Sequence, residues 1–230
     1  MNASQQMRRP HVEHMRNHWW WRPGWRVGRR LYTWHLTFED QPDLHLHVRE
    51  WQSRLDMPGL DLVPVQWLHL TTQGVGFIDE VDGHDVQDIV AAAVRRCAQL
   101  APLTLTLGPA LVDAEAVLLP VAPTERVGQV RAMLRDAIAE VWGADKVPEP
   151  KDGFTPHVSL AYSNREGPAA PVVEIVESLE PASTTVTIAA ARLIVLERET
   201  RVYRWQVHAT VPLGAAGSPV ALAEDDRGSS

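Results

Sequence analysis

The chain has 230 residues, 45% of them hydrophobic and 22% charged, with a formal net charge of −7. This balance describes a soluble globular protein large enough for one sizeable domain or two small lobes. Its acidity argues against broad coating of nucleic acid, although a local basic patch for one phosphate stays open. The single cysteine, Cys97, excludes a disulfide framework within the chain. No apolar stretch is long enough to cross a membrane and no signal core follows the beginning. The cytoplasm is therefore the expected location, with a monomer the favoured state.

Residues 1–30 form an extension unlike the rest, with seven arginines against the single acid Glu13, and with Trp19, Trp20, Trp21 and Trp25 close together. Four indoles in one short run are too apolar for a solvated tail. Residues 1–14 are expected to be loose and residues 18–30 to pack over the body. The body spans 31–211. LYTWHLTF at 31–38 has strand composition, 43–57 has helical spacing, and VQWLHLT at 65–71 alternates like a strand. A helix is expected over 85–101, because Val86, Ile89, Val90, Ala93, Val94 and Cys97 share one face. Strands follow at 103–108 and 116–119, then a helix from 123 to 142 with Thr124 as its cap. A strand at 157–162, a short helix at 171–179 and two antiparallel strands, TTVTIAAARLIVLER and RVYRWQVHATV, complete it. The chain thus reads as two α+β halves of similar order. Residues 212–230 read as a flexible tail.

Four of the ten histidines stand two positions before a serine or threonine: His35, His69, His157 and His208. On a strand this spacing puts imidazole and hydroxyl on one face. The hydroxyl can donate to a phosphate oxygen while the ring moves a proton. Two such strands facing each other would supply a base on one side of phosphorus and an acid on the other, as in-line displacement requires. His69 and His157 occupy corresponding places in the two halves. His35, on the first strand, and His208, near the last, are neighbours or sheet-packing residues in many arrangements.

LVPVQWLHLTTQGVGF and FTPHVSLAY resemble the two signature segments of the two-histidine phosphoesterase superfamily, particularly the bacterial 2'-5' RNA ligase and 2',3'-cyclic phosphodiesterase group. The family form, His-x-Thr/Ser-x, is met by His69-Leu70-Thr71-Thr72 and His157-Val158-Ser159-Leu160, and the match covers about residues 31–211. Serine at 159 keeps the hydroxyl but loses the methyl that restricts its rotamer, and Thr72 stands where an apolar residue is commoner. The resemblance implies an α+β bilobal fold, two pseudo-symmetric lobes of antiparallel sheet with outer helices around a central cleft. It implies metal-independent and cofactor-free chemistry on an RNA end or small nucleotide bearing a 2',3'-cyclic phosphate or a 2'-5' linkage. His69 and His157 would act as acid and base in unassigned order, and Thr71 and Ser159 would stabilise charge on the phosphate.

Arg22, Arg26, Trp25, His35, Phe154 and Tyr162 complete the candidate site as substrate contacts, the arginines for phosphate and the aromatic rings for stacking. The rival reading is a non-catalytic RNA-end or nucleotide-binding module with the same cleft. A metal hydrolase is disfavoured, because His45 and His47 point apart if helical and lack a third ligand if extended. Glu115, Glu125 and Asp136 read as solvated charges, His84 as structural at a helix start, and Cys97 as a small buried thiol. The loop at 148–153 is a candidate for closure over substrate.

Overall fold

The computed structural model describes residues 10–179 and 182–214; residues 1–9 of the expected loose segment 1–14 and most of the expected tail, 215–230, lie outside them. In chain order the elements are β1 (His14–Met15), β2 (Leu31–Thr37), α1 (Pro42–Leu55), β3 (Leu60–Leu62), β4 (His69–Phe77), α2 (Gly83–Cys97), β5 (Leu103–Leu107), β6 (Leu111–Val112), β7 (Ala116–Ala122), α3 (Thr124–Trp142), β8 (His157–Ser163), β9 (Gly167–Pro168), α4 (Ala170–Ser178), β10 (Thr184–Ile188), β11 (Ala190–Glu197) and β12 (Arg204–Pro212).

Two antiparallel sheets share one plan. The first runs β12-β11-β2-β4 and the second β10-β5-β7-β8-β3, with β6 pairing beside β7. In each, the motif strand (β4 or β8) is followed by three partners in matching order, and β4 meets β8 where the sheets come together. The lobes are built from interleaved chain. Helix α1 follows β2 of the first sheet yet packs on β8 and β10 of the second, whereas α3 follows β7 of the second yet packs on β4. The run TTVTIAAARLIVLER, expected as one strand, is divided at Ala189: β10 closes one sheet and β11 belongs to the other. Continuous β propensity does not show that a strand has changed sheets.

Local chemistry explains the element boundaries. The side chain of Asp82 accepts from the His84 N–H at 2.7 Å and caps α2, whose face of Val86, Ile89, Val90, Ala93 and Cys97 is buried. Helix α3 is capped by backbone alone at Pro123, and Thr124 is its first helical residue, not its cap. The strand expected at 65–71 begins instead at His69. Residues 65–67 form a 3-10 turn, with Trp67 N–H donating to the Pro64 carbonyl at 2.7 Å, so alternation there imitates a strand.

The extension is tied to both lobes. Val12 and Arg16 N–H donate to the carbonyls of Val112 and Ala114, and β1 pairs with β9, so residues 10–14 are not loose. Further on, the Arg29 guanidinium lies 3.8 Å over the Phe77 ring and pairs with Asp79 at 2.8 Å and with Glu80. The turn between these attachments uses Gly24 at φ +81, where a Cβ would stand 2.6 Å from the Phe77 ring.

Candidate active site

Both motif histidines open their strands, and both are held the same way. His69 Nδ1 donates to the Trp67 carbonyl at 2.8 Å, and His157 Nδ1 donates to the Thr155 carbonyl at 2.9 Å. A carbonyl only accepts, so each contact fixes the neutral ring with hydrogen on Nδ1 and leaves Nε2 for proton transfer. Each strand then bulges immediately after its hydroxyl residue. Pairing passes from His35↔Thr71 to Trp34↔Gln73 and skips Thr72; it passes from Leu118↔Ser159 to Val117↔Ala161 and skips Leu160. The extra residue reverses the in-out alternation. That reversal brings Tyr162 onto the same cavity wall as His157 and Ser159.

A cavity of about 1100 Å³ lies between the lobes, and Thr71, His157, Ser159, Phe154, Tyr162 and Arg22 all line it. Thr71 and His157 are exposed, whereas His69, Ser159 and Tyr162 are nearly covered. The two histidines differ sharply in surroundings. His69, which is not among the residues lining the cavity, is flanked by Trp205 at 5.3 Å and Tyr203 at 5.8 Å, both rings nearly perpendicular to its own, and burial lowers its pKa to about 4, with the nearby charge of His157 acting in the same direction.

Of the other expected contacts, Phe154 packs under the Arg131 guanidinium at 4.8 Å. Trp25 packs edge-on against Phe77 at 5.2 Å, and Arg26 pairs with Asp79 at 3.0 Å, both away from the cavity lining. Trp19 and Trp20 are likewise spent on anchoring, their indole N–H groups donating to Asp61 at 2.8 Å and Glu115 at 3.2 Å. His35 is completely buried, so it touches no cavity surface. It stacks parallel on His69 at 4.6 Å, and its Nε2 lies 3.1 Å from Thr71 Oγ1. His45 bonds the Phe38 carbonyl at 2.7 Å and His47 the Thr184 hydroxyl at 2.6 Å.

Several residues at the site carried no distinct signal in the sequence. His18 stacks on Tyr162 at 4.1 Å and is bonded to the Tyr203 hydroxyl at 2.8 Å and to Glu115 at 3.1 Å. Burial, reinforced by Arg22, lowers its pKa to about 3. Glu115, expected as a solvated charge, instead accepts from Arg22 at 2.6 Å and from Trp20; these contacts outweigh burial and hold its carboxyl below the usual range. Arg131 is buried on the apolar face of α3 and donates to the carbonyls of Thr72 at 2.9 Å, Lys151 at 2.7 Å and Pro150 at 2.8 Å. With Arg135 holding the Pro148 and Glu149 carbonyls, the 148–153 loop is pinned to α3 and to the bulge of β4. A charge among Val127, Val130 and Leu134 was the available signal for Arg131.

The model of the 2'-5' RNA ligase superfamily matches residues 38–201. No curated protein matches the chain by sequence. Among solved structures, TT0787 of Thermus thermophilus is similar with a TM-score of 0.61 and 18% identity, covering 81% of this chain and 100% of that one. Escherichia coli LigT complexed with 3'-AMP is similar at a TM-score of 0.60 and 16% identity, covering 80% and 98%. A conserved protein of unknown function from Agrobacterium tumefaciens, ATU0111, is similar at 0.55 and 17%, covering 78% and 85%. These likenesses describe the fold.

Proposed function

Because the chain belongs to the 2'-5' RNA ligase superfamily of two-histidine phosphoesterases, we propose that it opens 2',3'-cyclic phosphates, or cleaves and forms 2'-5' phosphodiester bonds, on a small nucleotide or RNA end. The observation that carries this reading is the repeated device on β4 and β8: a strand-opening histidine with Nδ1 tied to a carbonyl, a hydroxyl two residues on, and a bulge directly after it. A repeat of packing alone gives no reason for both rings to keep Nε2 free. That LigT has been crystallised with 3'-AMP adds support for a nucleotide ligand.

In the hydrolytic direction His69, kept neutral by burial, accepts a proton from the attacking water, and His157, open to solvent, donates one to the departing ribose oxygen. The water oxygen forms a bond to phosphorus as the bond to one ribose oxygen breaks. Thr71 and Ser159 hydroxyls donate to the equatorial phosphate oxygens, where charge is greatest in the transition state. Arg22, on the cavity wall, neutralises part of the remaining phosphate charge. No metal or cofactor enters these steps. Residues 10–30 of the extension act as a strap that joins the lobes and supplies Arg22, and the 31–211 body carries the chemistry. The cytoplasm is the proposed compartment; among the described residues no helix is long and apolar enough to cross a membrane.

The test is a substrate panel: the four nucleoside 2',3'-cyclic phosphates, 2'-5' and 3'-5' dinucleotides, and RNA ending in a cyclic phosphate. Turnover that survives chelation and falls about 10³-fold or more in His69→Ala and in His157→Ala is expected. Binding without turnover across the panel would favour the nucleotide-binding module instead.

A further inference from the structure

His35 is a fully buried histidine that the two-histidine chemistry does not use, yet it touches both parts of the first motif. Its ring is parallel to His69 within 5° at 4.6 Å between centroids, its Nε2 is 3.1 Å from Thr71 Oγ1, and its Nδ1 is buried with no hydrogen-bond partner. We propose that His35 is a positioning residue, which donates from Nε2–H to the Thr71 hydroxyl and so aims the Thr71 hydrogen at the phosphate. The proposal rests on the functional reading above.

The hydrogen-bond inventory supports this direction. A neutral imidazole carries one hydrogen, and either placement leaves Nδ1 unpaired. With the hydrogen on Nε2, the orphan is a bare acceptor. With it on Nδ1, the orphan is a buried N–H, the kind of group that folded proteins scarcely tolerate. The first arrangement also makes Thr71 the acceptor toward His35, so that its own hydrogen is free for a second partner on the exposed side of β4. The ladder supplies the register: His35 pairs directly with Thr71, and Thr37 with His69. Burial keeps His35 neutral, and the neighbouring His69 opposes its protonation further. A positive charge under His69 would hinder that ring from accepting a proton.

The experiment compares His35→Gln, His35→Leu, Thr71→Val and the double variant H35L/T71V on a nucleoside 2',3'-cyclic phosphate, with melting temperature measured for each. Glutamine can place its amide nitrogen near the former Nε2, and leucine offers no donor. His35→Leu is expected to lower kcat about 10- to 100-fold with KM nearly unchanged, His35→Gln to recover most of that loss, and His35→Leu to cost nothing further once Thr71 is valine. Losses that multiply in the double variant, or a glutamine variant as poor as leucine, would overturn the proposal. Two-bond nitrogen–proton correlation spectra of the wild-type histidine rings provide a readout independent of turnover and of variant folding. Hydrogen on Nε2 of His35 is expected; hydrogen on Nδ1 would overturn the proposal even in an active enzyme. A wild-type protein that turns over nothing in the panel refutes the functional reading instead, and the ring spectra still decide the state of His35.

Discussion

Strands β4 and β8 carry the same short pattern, but their surroundings have diverged. On β4 the histidine is stacked on His35 and flanked by Trp205 and Tyr203, while its hydroxyl partner Thr71 is exposed. On β8 the arrangement is inverted: His157 is exposed and its partner Ser159 is covered. A duplicated motif gives two equivalent proton carriers, whereas acid–base catalysis needs one ready to accept and one ready to donate. In the proposed mechanism burial supplies that difference. It disfavours the charged form of His69 and leaves His157 in contact with water.

The hydroxyls give the first way to sharpen that contrast. Thr71→Val and Ser159→Ala are each expected to lower kcat about 10²-fold, because each removes a donor to the developing charge. Equal KM values with normal melting temperatures would place both effects in the transition state. A silent Ser159→Ala would make β8 a one-residue contributor.

The strap provides the next largest effect. Arg22 lines the cavity beside Glu115, whereas Arg26 pairs with Asp79 outside it. Arg22→Gln is expected to raise KM about tenfold, equivalent to about 1.4 kcal/mol of binding, with kcat little changed. Arg26→Gln is expected to leave both constants within about twofold. Steady-state kinetics on a cyclic nucleotide check both, and reversed results would move the phosphate contact to the other end of the strap.

Acid sensitivity probes the buried side of the contrast. His18 and His69 have folded-state pKa values of about 3 and about 4, and His35 also lies well below the ordinary value of 6.5. Above pH 6.5 these rings are neutral in both folded and unfolded chains. As pH falls below that value the unfolded chain takes up protons that the folded chain refuses, so stability is lost toward the folded-state values, at most about 1.4 kcal/mol per pH unit for each ring. The melting temperature is expected to drop between pH 7 and pH 5, and His18→Phe to flatten that slope by about one third. A flat profile in the wild type would mean that the rings are more solvated than their packing implies.

Much of this was legible from residues. Helical stripes such as Val86–Ile89–Val90–Ala93–Cys97 and the paired His-x-Thr/Ser pattern depend on periodicity, which a sequence displays directly. The division of one β-rich run between two sheets at Ala189 was not legible, because both sides have the same composition. Nor were the two bulges, whose register appears only once a partner strand is paired. His35 shows the limit most clearly: its pattern matched that of the other motif histidines, and only the structure reveals that it is fully buried and stacked on His69. His18 and Glu115 gained their surroundings from the strap's path, which local sequence does not encode. The residue types of the proposed site were visible, and the asymmetry of their surroundings was not.

The most direct test of the burial argument is the pH dependence of kcat/KM for a nucleoside 2',3'-cyclic phosphate, in the wild type and in Trp205→Ala. A base must be neutral to accept a proton, so activity should fall as pH drops through the pKa of His69. The wild-type acid limb is expected near about 4. Removing the flanking indole admits water to His69, and the limb should rise toward the ordinary histidine value of 6.5. An acid limb that stays in place when Trp205 is removed, or one that persists in residual activity of His69→Ala, would contradict the account.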